Sequence, residues 1–363
     1  MRRAILTFVL IAAAAPSAFA QNPYAQRQKA LRFTGDALLR YEWTRKIPSA
    51  GSTIDESRYR LQARPRIEAT VGPLELGVGG EFNYSRDEND KAPDGGTLLL
   101  IRDNYRSRDA RLDLYWAKLE AGPLVATGGR FIMPLPLTEM IWDKDLRPFG
   151  GSLSLKLDQG GSRFAVSGIY STRSHVFDDE STMYGGSAEL ALQSGQSGQL
   201  GISGSYLEFK DLDRLDPVLH RQNTTLAGVY LYEYKVIDIQ ARLVASGQLP
   251  IQLVADYCWN RARSGNNKGL WLGVVLGQLE ISRAQLSYTY AKIDEDAVVA
   301  AFNTDDSFWG TGWEGHRADL GSASGRGTSV HAIGQWQRRQ GILGTDVKGD
   351  WVERYRVEFR YTF

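Results

Sequence analysis

Residues 58–71 read RYRLQARPRIEATV, and this stretch decides the fold. Its odd positions are mainly apolar, from Tyr59 through Leu61 and Ile67 to Val71, while its even positions carry arginine, glutamine, glutamate or threonine. A period of two residues is the pattern of a β-strand with one apolar and one polar face. Pro65 lies within this strand and cannot donate to a β-ladder, so we expect a bulge or a missing hydrogen bond there.

The same alternation recurs in residues 33–43, 74–84, 251–259 and 355–363, and no comparable segment carries a helical apolar stripe. These segments run about ten to fourteen residues, longer than a typical soluble strand and long enough to cross a bilayer at a tilt. Aromatic residues concentrate at the segment ends, as in the girdles of a transmembrane barrel. Charges on the other face would be unpaired in a packed core, whereas a water-filled lumen accepts them. The expected fold is therefore all-β, a transmembrane antiparallel up-and-down β-barrel with an aqueous lumen.

The turns set the expected strand number. Short turns such as 72–73 alternate with long polar loops, and a bacterial barrel with both termini in the periplasm has an even number of strands. Segments 224–234 and 236–246 share one odd-position phase, so we interpret them as one long strand that protrudes outward. We expect about 16 strands, with 14 and 18 as the alternatives, and a lumen wide enough for an aqueous channel.

The N-terminus is typical of a cleaved secretory signal. A short positive region, Met1-Arg2-Arg3, precedes an apolar stretch and the small residues of Ala18-Phe19-Ala20. The apolar stretch is too short to span about 30 Å of hydrocarbon as a helix, which argues against an anchor. The expected organisation is a signal peptide at 1–20, a short periplasmic N-terminal segment at 21–31 and the transmembrane β-barrel at 32–363.

The last strand ends on an aromatic residue. Phe363 follows the alternating aromatic segment 355–362, a setting typical of the strand that the barrel-insertion machinery recognises. The alternative is a soluble domain that happens to end in a strand. We therefore expect Phe363 to act as the assembly signal.

Composition excludes several other classes of protein. The chain has 363 residues with 43 basic and 42 acidic side chains, a balance that argues against a nucleic-acid partner. One cysteine argues against a disulfide scaffold, and the four histidines have no zinc-ligand spacing. A barrel enzyme would need a serine, histidine and acid within reach of one another, and no spacing marks such a set. We expect no cofactor, no metal site and no enzymatic activity.

Several motifs point to a known family. They are MIWDKDLRPFG at 140–150, LVADY at 253–257, QLSYTY at 285–290 and DAVVAAF at 296–302. In this order they extend over most of the mature chain, which resembles a family of bacterial outer-membrane β-barrel proteins classed as porins. The resemblance implies a Gram-negative outer-membrane location and the passage of small solutes, and it implies no particular solute.

The loop at 131–149 has an apolar content that is unusual for a loop in water. It carries Ile132 and Met133 and then a charged segment. One interpretation is that the loop folds into the lumen and constricts it; the other is that it packs on the barrel rim or on a neighbouring subunit. The candidate constriction residues are Trp142, Asp143, Lys144, Asp145 and Arg147.

Arginines form the other candidate feature of the lumen. Arg58, Arg60, Arg64 and Arg66 share one inward face, and Arg130 is a further candidate. Such a wall would concentrate anions in a confined pore. The alternative is that these arginines are paired with acidic residues of the lumen.

Arg111 is expected to join this pore-lining set. Leu112, Leu114 and Trp116 take the opposite phase of its strand and are therefore expected to face lipid.

These features together predict a channel for passive diffusion of small hydrophilic solutes, with a mild anion preference. The expected partners are outer-membrane lipid and lipopolysaccharide, the insertion machinery and the solutes, and a homo-oligomer is an open alternative. A non-transporting barrel with an adhesive or structural role is the competing class. A barrel enzyme is the third.

Overall fold

The computed structural model describes residues 30–49, 52–87, 109–174, 181–194, 198–215, 217–304, 306–341 and 348–363. The expected signal peptide and most of the expected periplasmic segment lie outside these residues. The strands of the described part are β1 (Ala30–Ser49), β2 (Ser52–Val71), β3 (Leu74–Asp87), β4 (Asp109–Ala121), β5 (Leu124–Arg130), β6 (Pro148–Gln159), β7 (Ser162–Ser174), β8 (Thr182–Ser194), β9 (Gly198–Lys210), β10 (Thr225–Leu226), β11 (Val229–Tyr230), β12 (Tyr234–Ala245), β13 (Ile251–Asn260), β14 (Lys268–Gly277), β15 (Ala284–Ile293), β16 (Trp313–Gly325), β17 (Thr328–Arg339) and β18 (Val352–Thr362).

Sixteen of these strands form one closed antiparallel barrel, in which β1 pairs with β18 to complete the ring. The predicted fold class and strand number are confirmed. The interpretation of 224–234 and 236–246 as one long strand is wrong. β10 and β11 instead form a separate two-stranded hairpin, and β12 pairs with β9. The chain reverses at Ala227 and Gly228, whose φ angles of 53° and 80° are incompatible with an extended strand.

Short segments of helix occupy part of the connections. They are two 3₁₀-helices, Leu212–Arg214 and Pro217–His220, and an α-helical turn, Leu279–Ser282. None of the helices in the described part of the chain has the length and apolar character needed to cross a membrane.

The two faces of the wall alternate as the sequence pattern predicts. Leu61 is 49% exposed on the outward face, whereas the adjacent inward Gln62 is 2% exposed. In β1, Leu39 is 50% exposed and Arg40 is 4% exposed. The outward surface is therefore apolar, and the charged side chains point inside the barrel.

Pro65 interrupts the ladder in the expected way. β2 pairs with β3 as far as Ala63 and again from Arg66, and Pro65 has no partner on β3. On the opposite side, Pro65 stands beside Gly35 of β1. The pairing gap follows because proline has no N–H to donate.

A β-bulge lies one strand further round the barrel. Gly79 pairs with Leu114 and Gly80 pairs with Leu112, so Asp113 is an extra residue in β4. An inserted residue reverses the inward and outward phase of the strand beyond it. Leu114 is accordingly buried, and Trp116 packs against the apolar cluster inside the barrel. The expectation that Leu114 and Trp116 face lipid is wrong for this reason, whereas Leu112 is exposed as predicted.

Candidate functional site

The loop at 131–147, which connects β5 to β6, lies inside the barrel. The Thr138 hydroxyl donates a hydrogen bond to Asp256, an inward residue of β13. On the opposite wall, the Arg147 Nε lies 3.2 Å from Asp113 of β4. Of the two interpretations that the sequence left open, these contacts correspond to the loop that folds into the lumen.

Charged residues of this loop reach the arginine-bearing wall. Asp145 pairs with Arg64, and Lys144 Nζ lies 2.9 Å from Glu139 within the loop. Burial would raise the pKa of Asp145, but the charges of Arg64 and Lys144 lower it to about 2. The Asp145 carboxylate is therefore ionised at neutral pH.

The remaining candidate residues of the loop stabilise its own shape. The Trp142 indole donates to the Leu146 carbonyl at 3.2 Å, and an Asp143 oxygen accepts from the Asp145 N–H at 2.9 Å. Trp142 and Asp143 are both buried.

A second loop, 294–312 between β15 and β16, also enters the barrel, and the sequence analysis did not predict this. The two inner loops are joined by hydrogen bonds: the Asp143 N–H donates to the Phe302 carbonyl at 2.7 Å, and the Thr304 N–H donates to the Glu139 carbonyl at 2.9 Å. The Trp142 and Phe302 rings stack with centroids 5.5 Å apart. The hydrophobic core of the protein therefore lies within the barrel. The sequence does carry a signal for this, because residues 297–302 are at least as apolar as the loop at 131–149.

The second inner loop brings one carboxylate onto the arginine wall. Arg40 holds Asp306 with two hydrogen bonds, of 2.7 Å and 3.1 Å, and Arg60 donates to the same carboxylate at 3.2 Å. The Arg356 Nη2 lies 3.9 Å from Asp306, and Arg354 donates to the Asp306 carbonyl at 2.8 Å. Arg40, Arg60, Arg354 and Arg356 come from the adjacent strands β1, β2 and β18, and we call them the arginine cluster.

The predicted arginine stripe does face the lumen along β2, and its members have acidic partners. Ion pairs of the other inward arginines include Arg58–Glu42 at 3.2 Å, Arg64–Asp36 at 2.8 Å and Arg66–Asp36 at 3.7 Å on β2, and Arg111–Glu81 at 2.6 Å on β4. The sequence left open whether these arginines form an anion-concentrating wall or are paired with acidic residues, and the contacts of the described residues are those of the paired arrangement.

Arg130 is a correction to the predicted pore-lining set. It pairs in register with Tyr115, which stands on the outward face with Val78. Its guanidinium lies 5.3 Å from the centre of the Tyr115 ring and donates to the Leu112 carbonyl at 2.9 Å. The short strand β5 has no hydrophobic alternation from which this orientation could be predicted.

A polar cavity of about 160 Å³ remains beside the first inner loop. It lies between Pro136 of that loop and the inward face of strands β7 to β12. Its charged and amide-bearing lining residues are Arg163, Glu189, Gln199, Gln240 and Arg242. This part of the lumen offers both donors and acceptors to a hydrated solute.

Three residues of β16 and β17 form a hydrogen-bonded chain on the inward face. The Ser329 Oγ lies 3.1 Å from His331 Nε2, and His331 Nδ1 lies 2.8 Å from Asp319. Sequence reasoning missed this set because its acid is ten residues from its serine and on another strand. Within the described ranges, no group of three or more histidine, cysteine, aspartate or glutamate side chains is arranged to hold a metal ion.

Comparison with solved structures identifies similar barrels. OprB of Pseudomonas putida has a TM-score of 0.60 at 11% identity and covers 92% of this chain and 94% of its own. The anion-selective porin from Comamonas acidovorans has a TM-score of 0.54 at 12% identity, with 93% and 100% covered. OmpF of Salmonella typhi has a TM-score of 0.53 at 13% identity, with 94% and 99% covered. No protein-family model and no curated sequence matches the chain. At these identities the likeness shows that the chain has the porin fold.

Proposed function

We propose that the protein is a porin-like channel of a Gram-negative outer membrane, through which small hydrophilic solutes diffuse passively. The observation that carries the proposal is the closed barrel with an exposed apolar outer face and a charged inner face. In a closed barrel every strand is paired on both sides, so backbone N–H and C=O groups need no hydrogen bonds from lipid. The apolar outer face can contact the hydrocarbon chains of the bilayer. The short turns then face the periplasm and the long loops face the exterior, where they meet lipopolysaccharide.

The two inner loops form the constriction in this proposal. Both loops occupy the lumen, and backbone hydrogen bonds of Phe302 and Thr304 join the second loop to the first. The first loop also carries the ionised Asp145 side chain to the barrel wall. Solutes pass between these loops and the polar wall that includes Glu189 and Arg242. Charged groups at a narrow point set what a pore admits.

Planar-bilayer recording tests this function. Refolded protein should give stepwise conductance, and replacing residues 297–302 with a short Gly-Ser segment should enlarge each step severalfold because it removes apolar side chains from the lumen. Heat-dependent gel migration provides the folding control. A correctly folded barrel without conductance in either form would favour the non-transporting class.

We further propose a mild anion preference that comes from the inward arginines. The Arg60→Gln and Arg64→Gln double variant should shift the zero-current potential toward cations in a salt gradient, because it leaves Asp306 and Asp36 without these guanidinium partners. Screening at about 1 M salt, where the Debye length is about 3 Å, should reduce the shift.

Arg130→Gln is the matched control for that experiment, since Arg130 stands on the outward face. It should leave the zero-current potential unchanged. Equal shifts in both variants, or no shift at low salt, would show that the inward arginines do not determine selectivity.

A second candidate function, ester hydrolysis, is favoured by one observation: the hydrogen-bonded set of Ser329, His331 and Asp319. In such a set the serine oxygen adds to the ester carbonyl while the histidine accepts its proton. The proton then passes to the leaving alcohol, and water hydrolyses the acyl-serine. Arg360 stands opposite Ser329 in the sheet, and its guanidinium donates to Glu358 at 2.6 Å.

Hydrolysis of p-nitrophenyl acetate by refolded protein tests this candidate. Ser329→Ala should reduce the rate to that of the uncatalysed reaction, while Ser187→Ala, which changes a buried serine of β8, should not. An equal rate in both variants would remove the candidate without affecting the channel.

A further inference from the structure

We propose that Arg40, Arg60 and Arg356 form a binding site for a phosphate-type oxyanion, and that Asp306 occupies this site in the absence of the solute. Binding of the oxyanion displaces Asp306 and releases the inner loop that carries it. The proposal rests on the proposed channel function for its role in transport, whereas the binding itself is independent of conductance.

The geometry around Asp306 is that of a bound oxyanion. Both terminal nitrogens of Arg40 contact the carboxylate, at 2.7 Å and 3.1 Å, and Arg60 adds a third donor at 3.2 Å. Arginine recognises carboxylate and phosphate oxygens with the same planar fork of donors. A site that holds Asp306 in this way therefore suits an oxyanion from solution.

One donor of the site remains unused. The Arg356 Nη2 has no hydrogen-bond acceptor and lies 3.9 Å from the Asp306 carboxylate, and Arg356 is 4% exposed. A buried donor without an acceptor costs free energy, about 1–3 kcal/mol. A carboxylate has two oxygens, whereas a phosphate group has at least three strong acceptors. Phosphate can therefore contact Arg40 and Arg60 and also reach Arg356, which Asp306 does not.

The site is fixed, while its occupant is attached to a loop. Arg40 pairs in register with Arg60, and its strand β1 lies between β2 and β18, so the arginines are held by the barrel wall. Asp306 belongs to the loop 294–312, which connects β15 to β16 and is not part of the barrel wall. Exchange of Asp306 for a solute thus needs movement of a loop and no change in the sheet.

Release of Asp306 would affect both inner loops. Thr304 donates to the Glu139 carbonyl, and Phe302 accepts from Asp143, so the second loop is bonded to the first. Movement of the second loop therefore loosens the packing that fills the lumen. In this way a small phosphate-bearing solute would widen the path that it takes through the barrel.

Thiol labelling measures this release directly. Ser307 is 1% exposed and adjacent to Asp306, so the Ser307→Cys variant should react slowly with a membrane-impermeant maleimide. Inorganic phosphate should increase the labelling rate severalfold, while potassium chloride of equal ionic strength should not. The unsubstituted protein, whose buried Cys258 is its single thiol, gives the background.

A second experiment removes the Asp306 carboxylate, which competes with phosphate for the site. Asp306→Asn in the Ser307→Cys background should label rapidly without phosphate. Its affinity for inorganic phosphate, measured by titration calorimetry, should rise by about tenfold because the site is no longer occupied. Asp158→Asn is the matched control, because Asp158 is an exposed residue near a short turn. It should behave like the parent variant.

Each outcome decides the proposal. Labelling that phosphate and chloride increase equally would overturn it, as would equal phosphate affinity with and without Asp306. If the Asp306 variant does not fold, the phosphate and chloride comparison on the parent variant is still decisive. Absence of conductance together with phosphate-dependent labelling would contradict the channel function and leave the site in place.

Discussion

At the scale of single residues, the protonation of Asp306 should control how firmly the second inner loop is held. Burial alone would raise the pKa of its carboxyl, but Arg40, Arg60 and Arg356 hold that pKa well below its usual range. The folded pKa is thus lower than the unfolded value of about 3.9, so the stabilisation is complete above that pH and declines as the pH falls below it.

We therefore expect constant conductance from about pH 8 down to the ordinary carboxyl pKa of about 3.9, and an increase only well below that pH, where Asp306 takes up a proton. Two other carboxylates face the site, Glu358 at 2.6 Å from Arg40 and Glu42 at 2.6 Å from Arg356. Together with Arg354, Lys144 and Asp145 they are present in both proteins, so the difference between the two pH profiles isolates Asp306. Asp306→Asn should lack the acid-dependent increase, since its side chain does not titrate. An identical pH profile for the two proteins would contradict this role.

Asp113 provides a second test at this scale. It is fully buried, and its carboxylate lies 3.2 Å from Arg147 of the first inner loop. Removal of one partner of a buried ion pair costs about 3–5 kcal/mol. Asp113→Ala should lower the free energy of unfolding in urea by an amount in this range, and the exposed Asp158→Ala should change it by less than about 0.5 kcal/mol.

At the scale of elements, the pairing of β1 with β18 closes the barrel. The Gly35 and Phe363 backbones exchange two hydrogen bonds of 3.0 Å, and the Phe363 ring stacks on Phe33 at 5.3 Å. A Cβ on Gly35 would approach the Phe363 ring to 2.6 Å, so glycine leaves the space that this ring occupies. The terminal aromatic residue is therefore part of the closing seam as well as the proposed assembly signal.

Phe363→Ala should reduce the amount of folded protein in the outer membrane, because it removes both the aromatic side chain and its contact with Phe33. Phe359→Ala is the control, since Phe359 is another outward aromatic residue of β18. Membrane fractionation with heat-dependent gel migration measures the result. Equal levels for the two variants would mean that the terminal position has no special role.

At the scale of the whole molecule, the distinction between the lipid face and the lumen determines the cost of a charge. Ile202 is 48% exposed on the outward face of β9, and Gln199 of the same strand lines the polar cavity. Ile202→Arg should lower the free energy of unfolding by about 2–4 kcal/mol, the cost of arginine near the bilayer centre. Gln199→Arg should cost much less. Equal losses in lipid vesicles would contradict the assignment of the faces.

Gln62 is a polar residue of the inward face that is buried. The sequence pattern places it on the polar face, and an arginine there would be expected to meet water. The residue is instead 2% exposed, and its amide donates to Glu81 at 2.7 Å. The inward face near the inner loops is packed, so polarity alone does not indicate exposure to solvent.

The sequence by itself determined the class of fold and most of the two faces of the wall. It predicted the number of barrel strands only to within two, through an interpretation of 224–246 that the hairpin of β10 and β11 contradicts. Successive side chains of a strand point to opposite faces, so the alternation around Leu61 and Arg60 specifies which side each residue occupies. The alternation in β4 does not predict the bulge at Asp113. A bulge is defined by the pairing with the neighbouring strand, here β3, and the sequence of β4 alone does not indicate it.

Only the tertiary structure decided what fills the barrel. Arg40 and Asp306 are separated by 266 positions, and their contact depends on closure of the ring and on the path of a loop across it. Burial of that loop follows from the fit of its apolar residues to the other inner loop and of its carboxylate to the arginine cluster. Such complementarity belongs to surfaces that the fold brings together, so no local period or spacing encodes it.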